Sequence, residues 1–193
     1  MRKGELTRQA ILDVAVRMAR YSGLSGLTIG SLAAAADMSK SGVYAHFKSK
    51  EALQLACMER NAEQFIDEVI SPALAKPRGV ARLQAIVEYW MIWYSHPGGC
   101  LFLAAAAEFD DLPGSLHDLM VAQQRDMVES LARIASTAVV EGEFREDTDV
   151  FQVAQEVFGI LLSYNWMDRI LTYPDAADGA WAAFNRLIDS HGN

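Results

Sequence analysis

The residues best suited to chemistry lie in one short run, Ser39-Lys40-Ser41-Gly42-Val43-Tyr44-Ala45-His46-Phe47-Lys48-Ser49-Lys50. Hydroxyls, ammonium groups, an imidazole and a phenol alternate there with glycine and alanine. Only Val43 and Phe47 are apolar at the i, i+4 spacing of a single helical face. A helix of about two turns seated on that pair leaves Lys40, Ser41, Gly42, Tyr44, Ala45 and His46 outward, followed by Lys48 and Lys50. Such a surface of donors and small residues suits the major groove of double-stranded DNA, where base edges offer acceptors and the flanking phosphates attract cations. The competing account is a solvated helix face, but a short helix with so small an anchor makes little sense without a groove to enter.

No other cluster has the spacing of a reaction centre. His46, His96, His117 and His191 are scattered without a nucleophile, and there is no phosphate loop, GxSxG elbow or HExxH helix, which argues against an enzyme. His96 and Cys100 are four apart, yet Pro97-Gly98-Gly99 interrupts the turn that would align them as metal ligands. Cys57 and Cys100 have no CxxC spacing, so neither a zinc site nor a disulfide framework is expected, and no cofactor motif is present.

The elements that must hold the outward face follow from its flanks. Thr28 can cap a short helix with Ile29, Leu32, Ala33 and Ala36 on its inner side. Asp37-Met38-Ser39 reads as a tight turn with Met38 as its buried plug and Ser39 as the cap of the outward helix. Upstream, a helix capped at Thr7 and running to about Tyr21 carries Ile11, Val14, Ala15 and Met18, before Gly23, Ser25 and Gly26 break it. Arg2 and Lys3, with Arg8 nearby, either trail along a phosphate strand or are simply solvated. The unit is a three-helix helix-turn-helix head.

The residues that carry this unit resemble a known family. Leu27-Thr28, Leu32-Ala33, and the run Ser39 to Leu53 with its Val43-Tyr44 pair, Phe47 and Lys48-Ser49-Lys50-Glu51, are similar to the DNA-binding domain of TetR-family transcriptional regulators, over roughly Thr7 to Leu53. The resemblance implies that Tyr44, His46 and Lys50 contact phosphates while Ser39, Lys40, Ser41 and Ala45 face base edges. With Thr28 and Gly42 these make the expected DNA-contacting set. Ala45 departs towards the small side, where some relatives carry an aromatic. The resemblance further implies a homodimeric regulator acting on a palindromic operator, with repression relieved by a small-molecule effector bound in a divergent C-terminal body. The rival readings are a helical ligand-binding or interaction bundle, or an enzyme, without regulatory DNA binding.

Charge divides as such a protein requires. The chain of 193 residues has a net charge of -8, but residues 1–50 carry +5 and residues 51–193 carry -13. Only the head need meet phosphates, and an acidic body discourages misoriented association. We therefore expect an all-α protein with a DNA-binding domain over 1–50 and a ligand-binding and dimerisation bundle over 51–193. No apolar run reaches the ~18 residues a membrane span needs and no signal-peptide core follows Met1, so a cytoplasmic protein without membrane partners is expected.

The body reads as helices. Ser49 caps a long one with Glu51 in its first turn, which runs through Leu53, Leu55, Phe65, Ile66 and Val69 towards Pro72. The stretch Val80 to Ser95 is apolar on nearly every side, marking a central helix. A helix from about Pro113 to Glu141, one capped by Asp147 and reaching Leu171, and one from Asp175 to Ser190 complete it. Tyr89, Trp90, Trp93, Tyr94, Phe102, Met120, Gln123, Met127 and Phe158 are the candidate lining of a ligand cavity, with core packing the alternative for each. Polar help would come from Tyr94, Asn165, Gln123 and Glu108. Val153, Val157, Ile160, Tyr164, Trp181, Phe184 and Ile188 exceed one inward stripe per helix. They are the candidate dimer face, a four-helix bundle centred on Phe184. Gly159, mid-helix, suggests close helix packing.

Overall fold

The computed structural model describes residues 3–192, with side chains from Arg8 onward. Arg2, and the side chains of Lys3 and Thr7, lie outside the described residues. In chain order the helices are α1 (Lys3–Ser22), α2 (Ile29–Ala35), α3 (Lys40–Phe47), α4 (Lys50–Phe65), α5 (Ser71–Leu74), α6 (Val80–Tyr94), α7 (Leu101–Phe109), α8 (Ser115–Val140), α9 (Val150–Asn165) and α10 (Ala176–His191). Wide turns of π-helical geometry, Ile66–Ile70 and Trp166–Ile170, extend α4 and α9. Among the described residues no strand forms, and one isolated antiparallel bridge pairs Phe144 with Gly192. The fold is all-α, as expected. The chain divides into two compact units, one made of residues up to 65 with 96–124, the other of 66–95 with residues from 125 onward.

In the first unit, α1 starts ahead of the expected cap at Thr7. No proline interrupts the stretch from Gly4 to Leu6, so nothing in it forbids the helix from starting earlier. Its buried stripe is Ile11, Leu12, Ala15, Val16 and Ala19, rotated from the one expected, with Val14 and Met18 half-buried. A capping box opens α2: the Ser31 amide donates to Thr28 Oγ1 at 3.0 Å and the Thr28 amide to Ser31 Oγ at 3.1 Å. Leu32 and Ala33 are buried, whereas Ile29, Ala36 and Met38 are half-buried. Ser39 caps α3 by accepting the Gly42 amide at 3.0 Å, and Lys48 ends it with φ +60°. Ser49 caps α4 through the Ala52 amide at 3.0 Å. Across the α1–α4 contact, Asp13 accepts from Arg60 Nε at 2.7 Å and from Gln64 at 2.9 Å.

In the second unit, α6 buries Leu83, Ile86, Val87, Trp90 and Trp93 but leaves Gln84, Glu88 and Ile92 exposed, so it is central on most sides rather than all. Asp149, not Asp147, caps α9, accepting the Phe151 and Gln152 amides at 3.0 and 3.1 Å. An acceptor one residue before the first helical turn reaches those amides, and Asp147 sits too far upstream. Asp175 precedes α10 without a side-chain cap bond. The α9 stripe Val153, Val157 and Leu161 and the α10 residues Phe184 and Leu187 close the core.

Candidate nucleic-acid interface

Two side chains seat α3, Val43 at 0 % and Phe47 at 2 % exposure, and the Arg8 guanidinium covers the Phe47 ring at 5.3 Å from its centroid. The rest of the helix is therefore free to be a surface. A shallow concavity of about 540 Å³ opens there, lined by Ile29, Lys40, Ser41, Tyr44, Ala45 and Lys48. Tyr44 stands 54 % exposed at its edge. The small side chain of Ala45 keeps the floor low, and two ammonium groups flank it. A hydroxyl, a phenol and two cations around an apolar floor can meet base-edge acceptors, a thymine methyl and phosphates.

Not every expected contact residue is equally available. Thr28 Oγ1 and Ser39 Oγ are engaged as caps, Ser39 Oγ also lying 3.1 Å from Ser41 Oγ. His46 is half-buried, with its ring 6.1 Å from that of Phe47. Lys50 lies outside the concavity lining, and its Nζ donates to the Ser25 carbonyl at 2.6 Å. Gly42 is half-buried, and a Cβ there would meet Ser39 Oγ at 3.2 Å, so the cap leaves little room for a side chain.

The expected ligand-cavity residues fall into separate units. Tyr89, Trp90, Trp93, Tyr94, Met127 and Phe158 belong to the second, where Trp90 packs edge-on against Phe158 at 5.9 Å and Tyr94 stacks on Tyr164 at 6.4 Å. Phe102, Met120 and Gln123 belong to the first, where Phe102 meets the edge of Phe65 at 5.6 Å. The Glu108 carboxylate is already engaged within the first unit, where it accepts the backbone amides of Leu24 and Ser25. Asn165 is buried, with Oδ1 lacking a partner among the described residues.

Sequence reasoning missed Asn61. It is 0 % exposed, and neither its Oδ1 nor its Nδ2 meets a hydrogen-bond partner among the described residues. In the same unit, Gln123 Nε2 donates to the Met58 carbonyl of α4 at 3.4 Å, while its Oε1 is buried without a partner among the described residues. The signal was present in the spacing, since Asn61 continues the buried α4 stripe of Cys57, Met58 and Phe65. Burial pushes the Cys57 thiol up to about 12, opposed by the nearby Arg20 charge, which leaves it a poor nucleophile. Among the described residues no group of His, Cys, Asp and Glu is arranged to hold a metal.

Of the seven expected dimer residues, three lie in the core. Val153, Val157 and Phe184 are buried within the chain itself, because the i, i+4 row of α9 turns towards α6 and Phe184 packs edge-on against Trp181 at 5.7 Å. They have no surface to offer a partner. The open face is a groove of about 920 Å³ between α9 and α10, whose lining includes Gly159, Ile160, Tyr164, Gly179 and Ala183. Ile160, Tyr164, Trp181 and Ile188 are half-buried, of which the first two line the groove. Among the described residues, a Cβ on Gly159 would meet no atom within 4 Å beyond its own stretch of helix, so this glycine is not explained by close packing within the chain. Tyr173, which lines the groove, is exposed, as are Trp166, Ile170 and Leu171 in and just after the wide turn that extends α9.

Two family matches bracket these surfaces. Residues 11–57 match the family described as bacterial regulatory proteins, tetR family, and residues 79–184 match the tetracyclin repressor-like C-terminal domain. The chain is 45 % identical over 47 residues to the HTH-type transcriptional regulator AcrR of Shigella flexneri, a stretch covering 24 % of this chain and 22 % of that protein. A TetR transcriptional regulator from Chloroflexus aurantiacus superposes with a TM-score of 0.84 at 27 % identity, over 98 % of this chain and 96 % of that one. AibR, solved in complex with isovaleryl coenzyme A and operator DNA, superposes with a TM-score of 0.69 at 23 % identity, over 96 % and 98 % of the two chains.

Proposed function

Because the chain belongs to the tetR family of regulatory proteins, we propose that this DNA-binding transcriptional regulator is a homodimeric repressor released from a palindromic operator by a small molecule. The single observation that carries the reading is the α3 surface, an exposed polar helix with a two-residue anchor and Lys40 and Lys48 flanking its concavity. Thr28, Ser39, Lys40, Ser41, Gly42, Tyr44, Ala45, His46 and Lys50 make the contact set, with Lys40 and Ser41 facing base edges and Tyr44 and Lys50 facing phosphate. The head corresponds to residues 1–50 and the effector and dimer functions to 51–193.

The groove between α9 and α10 supports a two-fold contact, since its apolar, glycine-bearing walls admit a helix of a second copy. Asn61 and Gln123 support an effector site lined in part by unsatisfied carboxamides, because a buried polar group without a partner costs ~1–3 kcal/mol that a bound molecule can recover. AibR, which shares the fold, was solved with both an acyl coenzyme A and operator DNA, and that pairing of ligand classes is the one expected here. Release requires an effector that binds one head spacing better than the other. The protein acts by binding rather than turnover, in the cytoplasm. Among the described residues no helix is long and apolar enough to cross a membrane.

In vitro selection from a random duplex pool tests this. The expected product is an inverted repeat with half-sites about one helical turn apart, bound with an affinity that falls steeply with salt. Recovery of no enriched sequence, or of a motif without two-fold symmetry, overturns the reading.

A further inference from the structure

The loop Gly23–Gly26 between α1 and α2 is held by side chains from two other helices of its unit. The Leu24 and Ser25 amides donate to the Glu108 carboxylate of α7, at 3.1 and 2.8 Å. The carbonyls of the same two residues accept from α4, Leu24 from Gln54 Nε2 at 2.7 Å and Ser25 from Lys50 Nζ at 2.6 Å. Four consecutive backbone groups, which an exposed loop would leave to water, are thus shared between two helices.

The fit is tight from the loop side as well. Gly23 has φ +69°, and a Cβ there would overlap the Glu108 carboxylate, so the chain approaches that group as only glycine allows. The other end of the same segment docks too. Gly98, in the turn before α7, has φ +86°, and a Cβ there would lie 2.7 Å from Arg20 Cβ and 2.8 Å from its carbonyl carbon. The stretch from Gly98 to Glu108 therefore grips the C-terminal end of α1 and the loop that follows it, immediately before the capping box that starts the helix-turn-helix.

We propose that Glu108 is the positioning residue that couples α7 to the DNA-reading head. Its carboxylate fixes the α1–α2 loop, and through it the attitude of α2 and α3. Any displacement of α7 is then felt by the head through one pair of charge-assisted hydrogen bonds, a kind stronger than neutral ones. Glu108 makes no DNA contact itself. The proposal rests on the regulator reading for its DNA readout, but the latch has a readout of its own. Removing the carboxylate frees the loop amides and spreads the head over more orientations, and the apparent affinity falls with the fraction that remains competent.

The experiment compares wild type with Glu108→Ala, Glu108→Gln and Gly23→Ala, using a duplex selected in vitro by the wild-type protein, together with amide hydrogen exchange. Glu108→Ala should bind that duplex at least about tenfold more weakly and lose protection at the Leu24 and Ser25 amides, with protection in α6, α9 and α10 unchanged. Glu108→Gln keeps the shape and one acceptor oxygen and should fall between. Gly23→Ala, which pushes the carboxylate away sterically, should reproduce the loss. A folded Glu108→Ala with wild-type affinity, or with weaker binding but intact protection at Leu24 and Ser25, overturns the proposal. If Glu108→Ala does not fold, wild-type behaviour of Glu108→Gln in both assays overturns it. If the wild-type protein selects no duplex, the regulator reading fails, and exchange at the two amides alone decides the latch.

Discussion

The concavity on α3 and the groove between α9 and α10 are both kept open by small residues, but their walls are of opposite material. On α3, Ala45 makes a floor between Lys40, Ser41, Tyr44 and Lys48. Between α9 and α10, Gly159, Gly179 and Ala183 stand among Ile160, Tyr164 and Met167, with Glu156, Asp175 and Arg186 also lining the groove. A hydroxyl-rich, cationic hollow attracts a polyanion from a distance and loses that attraction with salt. An apolar furrow with glycines in its wall instead accepts close approach of another backbone, and salt does little to it. On the proposed function, smallness therefore means different things in the two places: room for base edges in one, room for a partner helix in the other.

The largest effect expected is at the groove. Ala183→Arg places a charge on a wall that a two-fold contact uses twice, and should cost several kcal/mol of association through unpaired burial. Sedimentation should show a folded monomer, with tight operator binding lost because each head meets only one half-site. Phe184→Arg, one residue along, should instead unfold the second unit, since that side chain is 1 % exposed within its own chain. A dimeric Ala183→Arg would move the two-fold contact to another face.

At the head the expected effects are smaller and differ in kind. Lys40 borders the concavity, so Lys40→Ala should relax preference at particular base pairs, each worth ~1–3 kcal/mol. Lys50 is tied to the Ser25 carbonyl and lies outside the concavity. Its ammonium has donors to spare for a phosphate, so Lys50→Ala should weaken all sequences and lower the salt slope by about 1. Equal losses for both variants on selected and random duplex would erase the distinction between reading and holding.

The head was legible because its signals are local. Caps at Thr28, Ser39 and Ser49, and the Val43–Phe47 pair, act within a few residues of where they are written. The face proposed for the dimer was less legible because helical periodicity says how many stripes are apolar, not which meets its own chain. Val153, Val157 and Phe184 turned inward, and the groove wall came from glycines and alanines that carry little apolar signal. Glu108 was unreadable for another reason. Its partners are backbone amides more than eighty positions away, and no side-chain pattern announces those.

Gly159 gives the sharpest comparison, though the smallest effect, because the sign of a single methyl decides it. Its place in the interior of α9 costs about 1 kcal/mol against alanine. Among the described residues nothing occupies the space a Cβ would take, so Gly159→Ala in a monomeric background such as Ala183→Arg should raise the unfolding midpoint by a few degrees. In the otherwise wild-type dimer the same methyl should meet the partner helix, and overpacking of the kind that costs ~1–3 kcal/mol should weaken association measurably. The glycine is thus expected to be unfavourable for the isolated chain and favourable for the pair. A variant stabilised in both backgrounds, with unchanged dimerisation, would leave this wall of the groove open to solvent and the two-fold contact elsewhere on α9 and α10.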